Sequence, residues 1–270
     1  MTDCYRHPGR EANIRCQRCE RPICPDCMRD AAVGFHCPSC VAEARKSVRQ
    51  PRTMAGGALS GDAGRISLAL IAINIAVFLA QLASAGAVTT AGRMEAEGVA
   101  HGEVWRLLTG EFLHASPLHL AFNMVALYLF GPAAERALGA ARFIAAYLTM
   151  AVTASTLVYV LNGPPTVGAS GAIFGLFGLV FVLMVKVGQD VRSLLVLLVI
   201  NGFISLQGNI SWQAHLGGFL AGLALGVVFA YAPRSSRTLW QLLAFAALWI
   251  LIIAGVVVHT AALTSGITLV

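Results

Sequence analysis

Residues 167–175 read VGASGAIFG, with Ser170 between Gly168 and Gly171. A glycine-flanked serine suits two different purposes. It can be a nucleophile held on a tight turn, or a small residue that lets two membrane helices pack closely. Which one applies depends on what surrounds the stretch in the chain.

The surroundings are apolar. The chain is 57% hydrophobic and 12% charged, with a mean hydropathy of +0.72. Soluble domains carry about 25% charged residues, so this composition excludes a soluble globular protein. The formal net charge of +6 is unevenly placed. More than half of the 19 Lys and Arg residues lie in residues 1–65, and all seven cysteines fall between Cys4 and Cys40. A small basic head on a greasy body fits a surface near anionic lipid better than nucleic-acid binding. The cysteine-rich, charged N-terminus does not read as a signal peptide.

Downstream of a polar, Gly-containing stretch, apolar runs follow one another: 66–85, 117–135, 142–161, 169–187, 192–207, 212–231 and 239–260. A helix needs about 20 residues to cross the hydrocarbon core, so the pattern predicts seven spans, the fifth of them short. Lys and Arg mark cytoplasmic loops. With the head in the cytoplasm, Arg136, Arg142, Lys186, Arg192, Arg234 and Arg237 fall on the same side, and only Arg93 and Arg106 fall outside. The expected topology is N-in, C-out.

Orientation converts positions into depths. Span two runs inward, so His119 and Asn123 share one face near its outer end, with His114 just before them. Span four also starts outside, with Ser170 in its first turn, and span six starts outside with His215 about one turn in. Each taken alone has an ordinary structural explanation: a packing serine, interfacial histidines, an asparagine bonded to a neighbouring backbone. Their coincidence at one depth favours function, because polar groups within a membrane are costly. The set also closes chemically. A histidine can take the serine proton, and the remaining imidazole and amide can donate to an oxyanion. Glu135 and Asp190 belong to the opposite side, while Glu103 and Glu111 reach the site only if their segment folds inward. The residues therefore read as a Ser–His dyad in which packing orients the base, with Phe174, one turn after Ser170, as the packing surface.

These residues resemble the rhomboid intramembrane serine proteases. The resemblance is carried by GASG with Ser170, AHLGGFLAG with His215, HASPLHLAFN with His114, His119 and Asn123, and WR at Trp105–Arg106. It covers roughly residues 66–231. It implies an all-α polytopic membrane protein with a six-helix core over 65–232, and 233–270 as a seventh transmembrane helix and C-terminal tail. It further implies Ser170 as nucleophile and His215 as general base, with an oxyanion hole of Asn123, His114 and the Ser170 backbone N–H, supported by His119. Gly218 and Gly222 match small positions where the sixth helix approaches the serine helix, and Trp105–Arg106 matches a structural loop lying partly in the outer leaflet. The expected substrates are single-pass membrane proteins in the bilayer, cleaved in or near their spans without a catalytic cofactor, in a bacterial plasma membrane. Span five is the candidate lateral gate. A non-catalytic rhomboid-like protein that binds or chaperones membrane clients is the alternative. A transporter would need charges or broken helices at the midplane.

The head, residues 1–44, is joined by a linker over 45–64. Its pattern is Cys4-x2-His7, Cys16-x2-Cys19, Cys24-x2-Cys27 and Cys37-x2-Cys40. Eight ligands suffice for two structural tetrahedral zinc ions. Disulfides are the competing explanation, disfavoured by a reducing cytoplasm. Sharing between alternate pairs gives Cys4/His7/Cys24/Cys27 and Cys16/Cys19/Cys37/Cys40, with His36 as a possible substitute ligand. The head resembles a B-box-type zinc finger, although its last pair is Cys–Cys where many B-boxes use histidines, which implies a cytoplasmic protein partner.

Overall fold

The computed structural model describes residues 2–47, 51–59, 62–206 and 210–265. Residue 207 at the end of the fifth predicted span, residues 48–50 and 60–61 of the predicted linker, and the tail from 266 lie outside the described residues. The chain divides into two compact units, Met1–Pro51 and Arg52–Val270.

The first unit pairs six short strands into three antiparallel ribbons: β1 (Asp3–Cys4) with β2 (His7–Glu11), β3 (Ile14–Arg15) with β4 (Pro22–Ile23), and β5 (Arg29–Asp30) with β6 (Phe35–His36). Helix α1 (Pro38–Ser47) follows and runs past the predicted boundary at 44. The core of this unit is its cysteines, with Ala12 and Ile23 as the other fully buried members. A domain this small cannot bury enough apolar surface to stand on a hydrophobic core alone.

The second unit is helical. It contains α2 (Arg65–Ala83), three short helices α3 (Ala87–Gly92), α4 (Ala96–Ala100) and α5 (Arg106–Thr109), then α6 (Pro117–Leu138), α7 (Ala140–Val160), α8 (Ser170–Lys186), α9 (Arg192–Ser205), α10 (Trp212–Tyr231) and α11 (Arg237–Ser265). Five of these (α2, α6, α7, α10 and α11) are long and apolar enough to cross a membrane, and α8 and α9 are apolar but shorter. Helix α8 is buried along almost its whole length, and α7 over much of its own. By contrast α6, α9 and α11 present rows of exposed large apolar residues, among them Leu118, Phe122 and Val125 on α6. An apolar periphery around a buried central helix is the pattern of a bundle solvated by lipid.

Two stretches predicted as connection are packed structure. Residues 52–58 fold into a turn with Ala55 fully buried. The Ala55 N–H donates to the Ala137 carbonyl at 3.1 Å, and the Gln241 amide donates to the Ala55 carbonyl at 2.9 Å. Gly57 lies so close to the Leu138 carbonyl that a side chain has no room there. Residues 52–58 of the predicted linker are thus bonded to α6 and α11. Between α2 and α6, buried Arg106 donates to the carbonyls of Thr90 and Arg93, at 2.8 and 3.0 Å, and pairs with Glu103. One guanidinium, with donors fanned in a plane, gathers α3 to α5 into a unit.

Glu135 is buried, and its carboxylate accepts from the backbone N–H groups of Ile66 and Ser67 and the Ser67 hydroxyl, at 3.0–3.2 Å. It caps the first turn of α2, where backbone N–H groups have no partner within the helix.

Candidate active site and cysteine clusters

Helix capping sets the positions of the site residues. Ser116 is the N-cap of α6, accepting from the His119 N–H, with Pro117 at the first helical position. Ser211 caps α10 through the Ala214 N–H, which puts His215 in its first turn. Ser170 is the first residue of α8. The segment before it is held by Gly168 N–H donating to the Gly110 carbonyl at 2.9 Å, and by the Met94–Thr166 bridge.

These helices converge on a cavity of about 670 Å³ lined by residues of α6, the 164–167 segment, α8, α9 and α10. Ser170, His215, His119 and Asn123 are all on its wall. His215 Nε2 is 2.9 Å from Ser170 Oγ. The His215 ring stacks on Phe174, with centroids 3.9 Å apart and planes 8° apart. Its Nδ1 is 2.5 Å from the Ser205 hydroxyl, which also donates to the Asn201 carbonyl at 2.6 Å. The pattern of residues pointed to Ser170 as the partner of this ring and Phe174 as its packing surface. Ser205 was missed, because a serine near the end of a short apolar helix carries no local signal.

The two histidines before Asn123 are placed differently from the expectation. His119 lines the cavity, whereas His114 is 2% exposed and is not on its wall. Both His114 ring nitrogens lack a partner among the described residues, and its ring packs edge-on against His119 at 5.2 Å. The reason is helical geometry. His119 and Asn123 are one turn apart on α6, whereas His114 precedes the helix and is turned inward. The Asn123 side-chain amide donates to the His119 carbonyl at 2.9 Å.

Glu111 does fold inward. It is buried, and its carboxylate accepts from the Ser155 hydroxyl and from the Ala172 N–H, both at 3.2 Å. It therefore caps the first turn of the helix that begins with Ser170. The glycines around Ser170 divide by function. Gly171 abuts Ala154 and Glu111, Gly175 abuts Met150, and both backbones meet α10 at Gly218 and Gly222. Gly168 stands apart, with φ at +129° and its open side against the His119 ring.

In the first unit, Cys4, His7, Cys24 and Cys27 form one cluster and Cys16, Cys19, Cys37 and Cys40 a second, with ligand atoms in each within 4.8 Å of one another. All seven cysteines are free. Cys19 Sγ and Cys37 Sγ are 3.7 Å apart, and His7 Nδ1 is 3.3 Å from Cys24 Sγ and 3.4 Å from Cys27 Sγ. A disulfide needs about 2.05 Å. Four ligands at about 2.3 Å from one tetrahedral ion lie roughly 3.8 Å apart, so the donor sets fit a metal ion. The thiol acidities agree. Burial pushes Cys4 and Cys16 up, but backbone N–H donors outweigh it and bring both down to about 6. Burial and then the neighbouring Cys4 and Cys24 push Cys27 up to about 11. Cys40 rises to about 12, through Cys19 first and then burial. A cation at the centre would favour every thiolate of such a cluster.

Residues 101–232 match the Rhomboid domain family model. The Bacillus subtilis (strain 168) protein YdcA, named as a rhomboid, is 43% identical over 139 residues, which are 47% of this chain and 68% of YdcA. The chain belongs to the rhomboid family. The rhomboid protease GluP of the same organism is 38% identical across 58% of this chain, but the matched region is only 34% of GluP. The rhomboid protease GlpG of Haemophilus influenzae is 26% identical over 64% of this chain and 95% of its own length. As a rhomboid, the protein is a polytopic membrane protein, and Ser170, His215, His119 and Asn123 all fall within the matched domain. The cysteine clusters lie outside it.

Proposed function

We propose that this rhomboid is an intramembrane serine endopeptidase acting on single-pass membrane proteins. The contact that carries this reading is Ser170 Oγ to His215 Nε2 at 2.9 Å, on the wall of a cavity between apolar helices. Ser170 Oγ attacks the scissile carbonyl carbon as its proton passes to His215 Nε2. The imidazolium returns that proton to the leaving amine, and the acyl group stays on Ser170. Water then attacks the ester, His215 takes its proton, and the new carboxyl group departs as Ser170 is restored. The oxyanion is held by the Ser170 N–H, which as the first N–H of a helix has no intrahelical acceptor, and by Asn123 and His119 from the cavity wall. One hydrogen of the Asn123 amide is used by the His119 carbonyl, which leaves the other. His114 supports His119 from behind.

The seven-span topology adds α8 and α9 as short spans to the five long ones. The basic residues Arg136, Arg142, Lys186, Arg192, Arg234 and Arg237 put the N-terminus in the cytoplasm. Helix α9, the least buried of the cavity walls, is the side at which substrate enters. In the head, Cys4/His7/Cys24/Cys27 and Cys16/Cys19/Cys37/Cys40 each hold a structural zinc ion in a B-box-like module that engages a cytoplasmic protein. Bound there, the ion supplies charge and cross-linking that a domain of this size lacks.

The test is reconstitution in lipid vesicles with a panel of single-pass substrates. Ser170→Ala and His215→Ala are each expected to lower cleavage by at least about 10³-fold. Cleavage at the wild-type rate in both variants would overturn the proposal.

A further inference from the structure

Stacking on Phe174 holds the plane of the His215 ring but leaves two things undetermined. The ring can still turn over within its slot, and a neutral imidazole can carry its hydrogen on either nitrogen. Only one combination serves a base: Nε2 facing Ser170 without a hydrogen. Hydrogen on Nε2 would point a donor at the serine and abolish proton abstraction.

The third contact of the ring resolves both. The Ser205 hydroxyl lies 2.5 Å from Nδ1 and 2.6 Å from the Asn201 carbonyl oxygen. A carbonyl oxygen only accepts, so the single hydroxyl hydrogen goes to Asn201. The Ser205 oxygen is then left as an acceptor, and the Nδ1 contact requires a hydrogen on Nδ1. We infer that Ser205, on α9, is a positioning residue for the general base, fixing the Nδ1–H form of His215 and leaving Nε2 free for the Ser170 proton. This rests on the proposed roles of Ser170 and His215.

Two further observations separate this from ordinary packing. Ser205 and Leu194 are the only buried residues of α9, and the rest of that apolar helix is half-buried or exposed. A hydroxyl is costly to bury in such a place unless it is bonded, and its bond partners are Asn201 and His215. Ser205 also lies behind the ring. It lines a separate, apolar cavity of about 240 Å³ with Leu198, Trp212 and Phe219, while His215 borders both cavities. A substrate in the larger cavity meets His215 and Ser170 but not Ser205, so Ser205 acts through the imidazole alone. When Ser170 transfers its proton, His215 becomes a cation with hydrogen on both nitrogens. Its Nδ1–H bond to Ser205 then becomes charge-assisted and stronger in the transition state than before it. No proton passes to Ser205.

The test compares full-length wild type, Ser205→Ala and Ser205→Thr, purified and reconstituted, with Ser170→Ala and His215→Ala as references. The expected result for Ser205→Ala is a kcat lowered by about 10- to 100-fold with KM changed less than about twofold. Labelling of Ser170 by a fluorophosphonate probe, which needs no substrate docking, should slow by the same factor. Ser205→Thr, which keeps the acceptor oxygen, should recover most of the rate. The ¹⁵N spectrum of labelled His215 should show hydrogen on Nδ1 in wild type and a mixture of forms in Ser205→Ala. Wild-type His215 carrying its hydrogen on Nε2 would overturn the inference even if Ser205→Ala fails to fold. So would a Ser205→Ala protein that labels at the wild-type rate while Ser170→Ala and His215→Ala are inactive. Activity surviving in those two reference variants would instead remove the protease reading itself.

Discussion

Gly218 of α10 faces the carbonyl oxygen of Gly171 on α8 with no space for a methyl group between them, and one turn on Gly222 meets the Gly175 carbonyl in the same way. The two helices touch backbone to backbone. That contact is what sets His215, on the first turn of α10, within 2.9 Å of Ser170 on the first turn of α8. Small residues therefore determine the Ser170–His215 distance.

Gly222→Ala is expected to push α8 and α10 apart. Overpacking of this kind costs about 1–3 kcal/mol and more where backbone must move. The variant should melt several degrees below wild type and label poorly at Ser170 with a fluorophosphonate. Gly202→Ala, where the added carbon meets open space, is the control and should leave both readings near wild type.

Gly168→Ala should damage activity more than stability. A side chain at φ +129° is strained, and its Cβ would lie 2.6 Å from His119 Cε1 and 2.8 Å from Nε2. Strain of this kind costs of order 1–3 kcal/mol, and here it falls on a cavity-wall histidine next to Ser170. Cleavage is expected to fall by about 100-fold, measured as kcat/KM on a reconstituted substrate, with the protein still folded by circular dichroism.

Phe174→Ala removes the surface on which His215 lies at 3.9 Å. Ring stacking contributes about 0.5–1.5 kcal/mol beyond burial, so the rate of Ser170 labelling should drop by about 10-fold. Phe174→Tyr keeps the ring and should stay within a few-fold of wild type.

Glu111→Ala leaves the Ala172 N–H and the Ser155 hydroxyl without their acceptor. An orphaned buried donor costs about 1–3 kcal/mol, to be read as a lowered melting temperature. Glu111→Gln retains an acceptor oxygen and should lose about half as much or less.

The head should carry two zinc ions per chain by elemental analysis, and each of Cys16→Ser and Cys24→Ser should remove one. The pH dependence has a definite sign. The folded-state acidities of Cys4 and Cys16, about 6, lie below their ordinary value of 9.0, so the thiolate is the favoured form. That contribution is present above pH 9 and is lost as pH falls through about 6. Zinc should stay bound on dialysis at pH 7.5 and be released at pH 4.5. Two ions retained by Cys16→Ser or by Cys24→Ser would contradict the cluster assignment.

The inventory was legible in the residue pattern. Long apolar runs, the x2 spacing of eight Cys and His residues, and the Gly–Ala–Ser–Gly stretch are local features, and hydropathy and ligand spacing act locally. Spacing gave the four pairs of head ligands but left their partition between two sites open; the alternate grouping expected by analogy with cross-braced folds is the one the clusters adopt. Polar residues at one depth also pointed to Ser170, His215, His114, His119 and Asn123 as a set, since depth along a helix is a linear quantity.

Which way each side chain turns was not legible. That His119 rather than His114 lines the cavity depends on where α6 begins, which the Ser116 cap decides. That residues 52–58 are packed rather than loose depends on carbonyls of α6 more than 80 positions away. Glu111 reaches α8 only because Arg106 and the Gly110–Gly168 bond fold its segment inward. Ser205 meets His215 because α9 returns beside α10. Sequence by itself determined which groups are available and at what depth. Tertiary structure alone decided which atoms face one another, because hydrogen bonds and ring contacts are settled to within a few tenths of an ångström and spacing along a chain carries no such information.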